Sequence, residues 1–158
     1  MDEPPRTSRP HIPGYGLPED EDGLLDWTYA EERLRESRHY WLATVSPGGK
    51  PHVTAVWGVW VDGAAYFGGG PEVRWAKNLR ANPRIVVHLE PGDRVVMIEG
   101  DAQLTGGEGD PEVLAVQDAY QEKYDMRHPA PFWRVRPEIA FGWTDFTKDA
   151  TRWEFRPR

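Results

Sequence analysis

The stretch of this chain best equipped for chemistry is YFGGGPEVRWAKNLRANP, residues 66 to 83: an aromatic strand, three consecutive glycines, and a basic helix stopped by Asn-Pro. Bare backbone ahead of a helix suits an anion, because the first helical turn carries unpaired N–H groups and a partial positive charge, and glycine lets a ligand approach closely. Arg74, Lys77 and Arg80 add cations. At helical spacing Trp75, Ala76 and Leu79 turn to the core, while Arg74, Lys77 and Asn78 fall on one flank that can wall a phosphate. Pro71 suits the first helical position, and Glu72 opposes an anion beside it. The bland reading stays open: the glycines turn a strand into a helix, and the cations face solvent.

Two nucleotide signatures fail by count. Measured from Gly68 and Gly70, the third glycine of the dinucleotide pattern falls on Val73, and the helix opens with Pro71-Glu72-Val73 where a P-loop needs Gly-Lys-Ser/Thr. The histidines His11, His39, His52, His88 and His128 have no ligand-like local spacing. Satisfied or surface histidines are the favoured reading; His52 and His88 fall on neighbouring predicted strands and could meet in space, which keeps a haem or metal role as the lesser alternative. Ser8, Ser37 and Ser46 lack the glycines of a nucleophile elbow, and no carboxylate pair is spaced for glycoside hydrolysis.

The elements that must position these groups are strands. YWLATVS, the turn PGGK, PHVTAVWGVWV, the turn Asp62-Gly63 and AAYFG predict two successive hairpins in a meander, followed after the basic helix by the hairpin RIVVHLE, Pro91-Gly92-Asp93, RVVMIEGDAQLTG. VRPEIAFGWTDF and ATRWEFRP predict two closing strands. A capping box, Thr28 with Glu31, predicts a first helix to about Arg38. Asp110-Pro111 with Val113, Leu114, Val116, Ala119, Tyr120 and Tyr124 predicts another to about residue 126. Hairpins interrupted by about three helices imply a mainly β (α+β) antiparallel barrel rather than a parallel α/β sheet.

Residues 1–25, with five prolines and Glu19-Asp20-Glu21-Asp22, predict an extended arm, either disordered or wrapped on a partner; residues 26–158 form one domain. The formal net charge of −7 argues against a general nucleic-acid or anionic-membrane surface. Cysteine is absent, which excludes disulfides, thiolate metal sites and thiol nucleophiles. No run approaches the roughly 18 apolar residues of a membrane span, so a cytoplasmic, soluble protein is expected.

The order LATVSPGGKPHVTAVWGVWVDGAAYFGGGPEVRWAKNLRANPRIVVHLEPGD, then VVMIEGDAQL, resembles the flavin-binding split β-barrel family, as does the ending FGWTDFTKDATRWEF. That family includes pyridoxamine 5′-phosphate oxidases, general-stress FMN-binding proteins and actinobacterial oxidoreductases that use the deazaflavin coenzyme F-420. The resemblance implies a Greek-key-like split barrel and a homodimer whose two sites lie across the interface, each taking coenzyme F-420 or FMN and a small organic substrate. Thr54, Ala55, Val56 and Trp57 would run along the cofactor ring. Gly68, Gly69 and Gly70 would lie under its ribityl phosphate, and Arg74 takes the place of the arginine in the oxidases' Ser-Arg-Lys phosphate grip. Val73 stands at the serine of that grip, Trp75 at the lysine, and Thr54 at an arginine usual in true oxidases, which points away from pyridoxine-phosphate oxidation and leaves Lys77 to compensate. PHVTAVWGVW is closer to the deazaflavin branch. Trp57, Trp60, Trp143 and Trp153 are expected near the ring or the dimer contact. The competing expectation is a non-catalytic carrier of flavin or haem.

Overall fold

The structure, a computed structural model, describes residues 3–157. Its strands are β1 (Arg6–Ser8), β2 (Tyr40–Val45), β3 (Pro51–Val56), β4 (Val59–Val61), β5 (Ala64–Phe67), β6 (Arg84–His88), β7 (Val95–Leu104), β8 (Trp133–Val135), β9 (Ile139–Trp143) and β10 (Thr151–Glu154). Four helices, α1 (Trp27–Glu36), α2 (Arg74–Ala81), α3 (Pro111–Tyr124) and α4 (Phe146–Asp149), lie between them. All strand pairs are antiparallel, in the order β1-β10-β9-β7-β6-β2-β3, with β4-β5-β8 joined through the far end of β7. The ten-residue β7 thus serves both halves, pairing β6 and β9 along its first part and β8 along its last, which gives the expected split barrel.

Period-two alternation builds the core. Leu42, Ile85, Val87, Val96, Ile98, Ala140 and Trp153 are buried on the inner face, whereas their alternates on the same strands are half-buried or exposed. Trp60 and Trp153 lie in this core, with Trp27 wedged edge-on at 6.1 and 5.2 Å from their rings, so neither is available to a cofactor or a partner.

Several boundaries differ from expectation for identifiable reasons. The stretch from Pro51 to Val61 is two strands, not one: at Gly58 the chain passes the Tyr40 ring so closely that a Cβ would collide with it, and β3 and β4 do not pair. The expected meander is broken there. Asp26, not Thr28, caps α1, its carboxylate accepting from the Thr28 N–H at 2.9 Å; Glu31 instead accepts from Trp60 Nε1 at 3.2 Å. Asp110 and Pro111 open α3 as the sequence requires. The strand expected over VRPEIAFGWTDF splits into β8 and β9 around Pro137 and ends at Trp143, after which α4 turns the chain.

The arm before α1 is extended and fastened to its own barrel. Strand β1 pairs β10, and Tyr15 meets Phe146 edge-on at 5.9 Å. The buried Arg9 guanidinium donates to the carbonyls of Asp20, Asp22, Lys148 and Ala150 at 2.8–3.3 Å.

Candidate functional site

Helix α2 packs against β2 and β3, and one polar and one aromatic contact fix its height on the sheet. Asn78 is buried and donates to Thr44 Oγ1 at 3.0 Å, while Trp75 enters the core edge-on to Phe67 at 5.3 Å. Asn78 therefore holds the helix in place as well as lining the adjacent cavity, rather than standing on a free flank.

The helix starts three residues later than Pro71. Val73 is the cap residue and offers no capping side chain; the first amide bonded within the helix is that of Lys77, donating to the Val73 carbonyl at 3.1 Å. The N–H groups of Arg74, Trp75 and Ala76 have no acceptor among the described residues. Beside this helix start lies a cavity of about 420 Å³ lined by Pro47, Glu72, Arg74, Lys77 and Asn78. Pro47 comes from the β2–β3 turn, which Ser46 closes through its backbone and hydroxyl.

The cations differ in availability. Lys77 is 3.2 Å from Glu72 and Arg80 donates to the Pro71 carbonyl at 3.1 Å, whereas Arg74 is exposed and has no hydrogen-bond or ion-pair partner among the described residues. Arg74 is the guanidinium left for a ligand. The Lys77–Glu72 pair is exposed, so solvent screening makes it easy to part.

The glycines have two different reasons to be bare. A Cβ on Gly68 would collide with the His128 ring, and one on Gly69 would fall 2.6 Å from Trp75, so these two serve packing inside the chain. Gly70 has open space where its Cβ would be and is the position left for a ligand's approach.

Strand β3 is the end strand of its sheet and pairs only β2, which leaves one side of its backbone N–H and C=O groups unpaired. Thr54 and Val56 turn toward the barrel, Ala55 outward. The chain then leaves the sheet: Trp57 stacks on Tyr124 of α3 at 4.4 Å and 3°, and its carbonyl accepts from the Tyr120 hydroxyl at 3.1 Å. The residues expected at the site thus fall into two groups along one strand, Arg74, Lys77 and Asn78 beside the start of β3 and Trp57 at its end.

His52 and His88 do not meet. His52 pairs with inward-facing Thr44 and His88 with outward-facing Trp41, so the pleat puts them on opposite faces of the sheet. His88 instead lies nearly parallel to Trp41, 7° apart with ring centres at 6.2 Å, beside an open cavity of about 500 Å³ lined by Trp41, Val53, His88 and Glu90. Its Nδ1 lies 2.9 Å from the Leu89 carbonyl. No group of three potential metal ligands occurs among the described residues, nor does any helix there have the length and apolarity to cross a membrane.

A family model described as pyridoxamine 5′-phosphate oxidase matches residues 28–148. The chain belongs to that family. Among solved structures, it is similar to a conserved hypothetical protein from Mycobacterium tuberculosis, 26% identical with a TM-score of 0.68 over 84% of this chain and 92% of that one. An F-420 reductase is 24% identical with a TM-score of 0.54 over 69% of this chain and 94% of its own. The haem-storage protein HutZ from Vibrio cholerae is 18% identical with a TM-score of 0.56, over 70% and 86%. At these identities the last two attest the fold alone. No curated protein matches the chain.

Arg38, Lys123 and Tyr124 are not among the residues expected at the site; Tyr124 backs Trp57, and Arg38 and Lys123 lie beside Tyr124. Tyr124 accepts from the Gly58 N–H at 2.9 Å, and Lys123 donates to the Gly58 carbonyl at 2.7 Å. Burial, reinforced by the charge of Arg38, pushes the Lys123 ammonium down to about 8. The sequence signal for this cluster is a lysine set inside the apolar stripe of α3, directly before Tyr124.

Proposed function

We propose that the protein is a cytoplasmic homodimer that binds a phosphorylated flavin-type cofactor, coenzyme F-420 or FMN, and transfers hydride to or from a small organic substrate. The observation that carries this reading is the unpartnered Arg74 beside the unbonded amides of α2, at a cavity whose other wall leads onto the free edge of β3. A phosphate there receives charge-assisted donation from Arg74 and, once Glu72 is released, from Lys77. The edge of β3 from Thr54 to Val56 offers alternating donors and acceptors to the polar rim of a planar ring, with Trp57 just beyond it. Asn78 and Trp75 keep the phosphate end fixed relative to that strand. A bound flavin or deazaflavin supplies the hydride chemistry, which is why the chain needs no acid–base constellation of its own.

The second copy belongs on the outward face of the long sheet. There Val53, Ala43, Val86, Glu99 and Ile139 form a row across the strands, next to a row of Trp41, His88, Met97 and Phe141. Mainly apolar rows with single polar residues, partly open to solvent, are what a subunit contact covers. That packing shields the exposed side of β3 from water.

A second reading rests on His88. With Nδ1 against the Leu89 carbonyl, Nε2 is the nitrogen left for an axial ligand, and Trp41 and Val53 give an apolar wall. On this reading the protein carries haem and performs no hydride transfer. Titrating the purified protein with FMN, coenzyme F-420 and haem while following tryptophan fluorescence and visible absorbance separates the two. Micromolar binding of either flavin-type cofactor, weakened about tenfold or more in Arg74→Ala, supports the first reading. Haem binding lost in His88→Ala, without flavin binding, replaces it with the second.

A further inference from the structure

At the end of β3 away from α2 lies a second group of cations, unrelated to the phosphate grip. Strand geometry separates Pro51 from Trp57 by about 20 Å at roughly 3.3 Å per residue. Trp57 is 40% exposed, with one face backed by Tyr124. The Arg38 guanidinium carbon lies 5.2 Å from the Tyr124 ring centre and 6.0 Å from that of Trp57, and Lys123 Nζ lies 5.5 Å from Tyr124 and 5.1 Å from Tyr40. Neither cation forms an ion pair among the described residues. Lys123 uses one N–H on the Gly58 carbonyl and has two more to give.

We infer that Arg38, Lys123 and Trp57 form an anion site that seats a small aromatic carboxylate, its ring on the open face of Trp57 and its carboxylate between the two cations. Two cations brought together without a counter-charge gain from an anion between them, and the Trp57–Tyr124 pair supplies a flat, already ordered platform. The position, next to the strand along which we place the redox ring, makes this the substrate end; that last step rests on the proposed function, whereas the binding of the carboxylate does not.

The titrating group is Lys123. Tyr40 and Tyr124, the ring neighbours, are both raised by burial and stay neutral; Arg35, which also acts on Tyr40, is 3.7 Å from Glu31. On α3 itself Glu122 and Asp125 are exposed, and Asp125 accepts from Gln121 at 3.1 Å. A bound carboxylate raises Lys123 from its free value of about 8, so affinity is full below that pH and falls above it, about tenfold between pH 7 and 9.

The test is fluorine NMR of para-fluorobenzoate with the full-length protein, alone and saturated with FMN, against acetate and para-fluorobenzyl alcohol as competitors. The expected result is saturable binding that acetate and the alcohol compete for only weakly, a tenfold or greater loss in Arg38→Gln and in Lys123→Met, no change in Arg74→Ala, and the stated fall with pH. Arg38 is exposed, so Arg38→Gln leaves the fold intact even if Lys123→Met disturbs the Gly58 contact. Binding unchanged in Arg38→Gln, independent of pH, or matched by the neutral alcohol overturns the inference. Displacement by FMN overturns the assignment to a substrate. If neither FMN nor coenzyme F-420 binds while para-fluorobenzoate does, the cofactor reading fails and the anion site stands.

Discussion

Replacing Arg74 by alanine separates a ligand-binding arginine from a merely solvated one. Arg74 is exposed and makes no hydrogen bond or ion pair among the described residues, so its loss should change folding stability by no more than about 0.5 kcal/mol. Toward a phosphate it makes a charge-assisted contact worth about 1.5–3 kcal/mol, so Kd for FMN or coenzyme F-420 should rise roughly 10- to 150-fold. Glu72→Gln gives the opposite sign. It removes a negative charge from the cavity wall and frees Lys77, and because that pair is exposed the gain is about 0.5–1 kcal/mol, or roughly two- to fivefold tighter binding. Isothermal titration of both variants at low and high salt, with thermal melts alongside, reads all of these quantities. A loss below twofold in Arg74→Ala, or a fall in melting temperature that tracks the affinity loss, would refute the phosphate assignment.

Three further outcomes follow from the packing. Gly58→Ala drives a Cβ into the Tyr40 ring and should destabilise the fold by about 1–3 kcal/mol in urea unfolding, whereas Gly70→Ala, with open space, should cost little. Glu112 is partly buried, which opposes ionisation, but donation from Arg134 and Tyr66 outweighs this and holds its carboxyl below 4.5. Its stabilisation is therefore present above pH 4.5 and lost as pH falls through the lower folded value; Glu112→Gln should lower stability at pH 7 and weaken its decline below pH 4.5, and an unchanged acid limb would contradict this. Arg9→Ala removes the donor that ties Asp20 and Asp22 to Lys148 and Ala150, and limited proteolysis should then cut the arm before α1 at least several-fold faster, with the barrel left intact.

The parts of the fold that local chemistry determines were legible in the sequence. Asp110-Pro111 opens α3 because capping and a fixed proline φ act within one turn, and Asp62-Gly63, both at positive φ, makes the β4–β5 turn for the same local reason. The break at Gly58 was not legible, because the ring that demands it belongs to Tyr40, eighteen positions earlier by number. Gly68 is similar: its bareness serves His128, far along the chain, and imitates a ligand loop in sequence. The meeting of His52 and His88 failed on parity, since the face a side chain takes depends on the register of β6 against β2, which no local residue fixes. At the site, Arg74 was legible as a cation at a helix start, but its freedom was not, because only the structure shows Lys77 on Glu72 and Arg80 on Pro71.

The most direct test of the account is a crystal structure of the protein soaked with FMN or coenzyme F-420. The expected map shows a phosphate bonded to Arg74 and to the first amides of α2, with the ring against the β3 edge between Thr54 and Trp57 and a second subunit closing the outward face. A phosphate away from α2, or a ring that leaves β3 untouched, would contradict it.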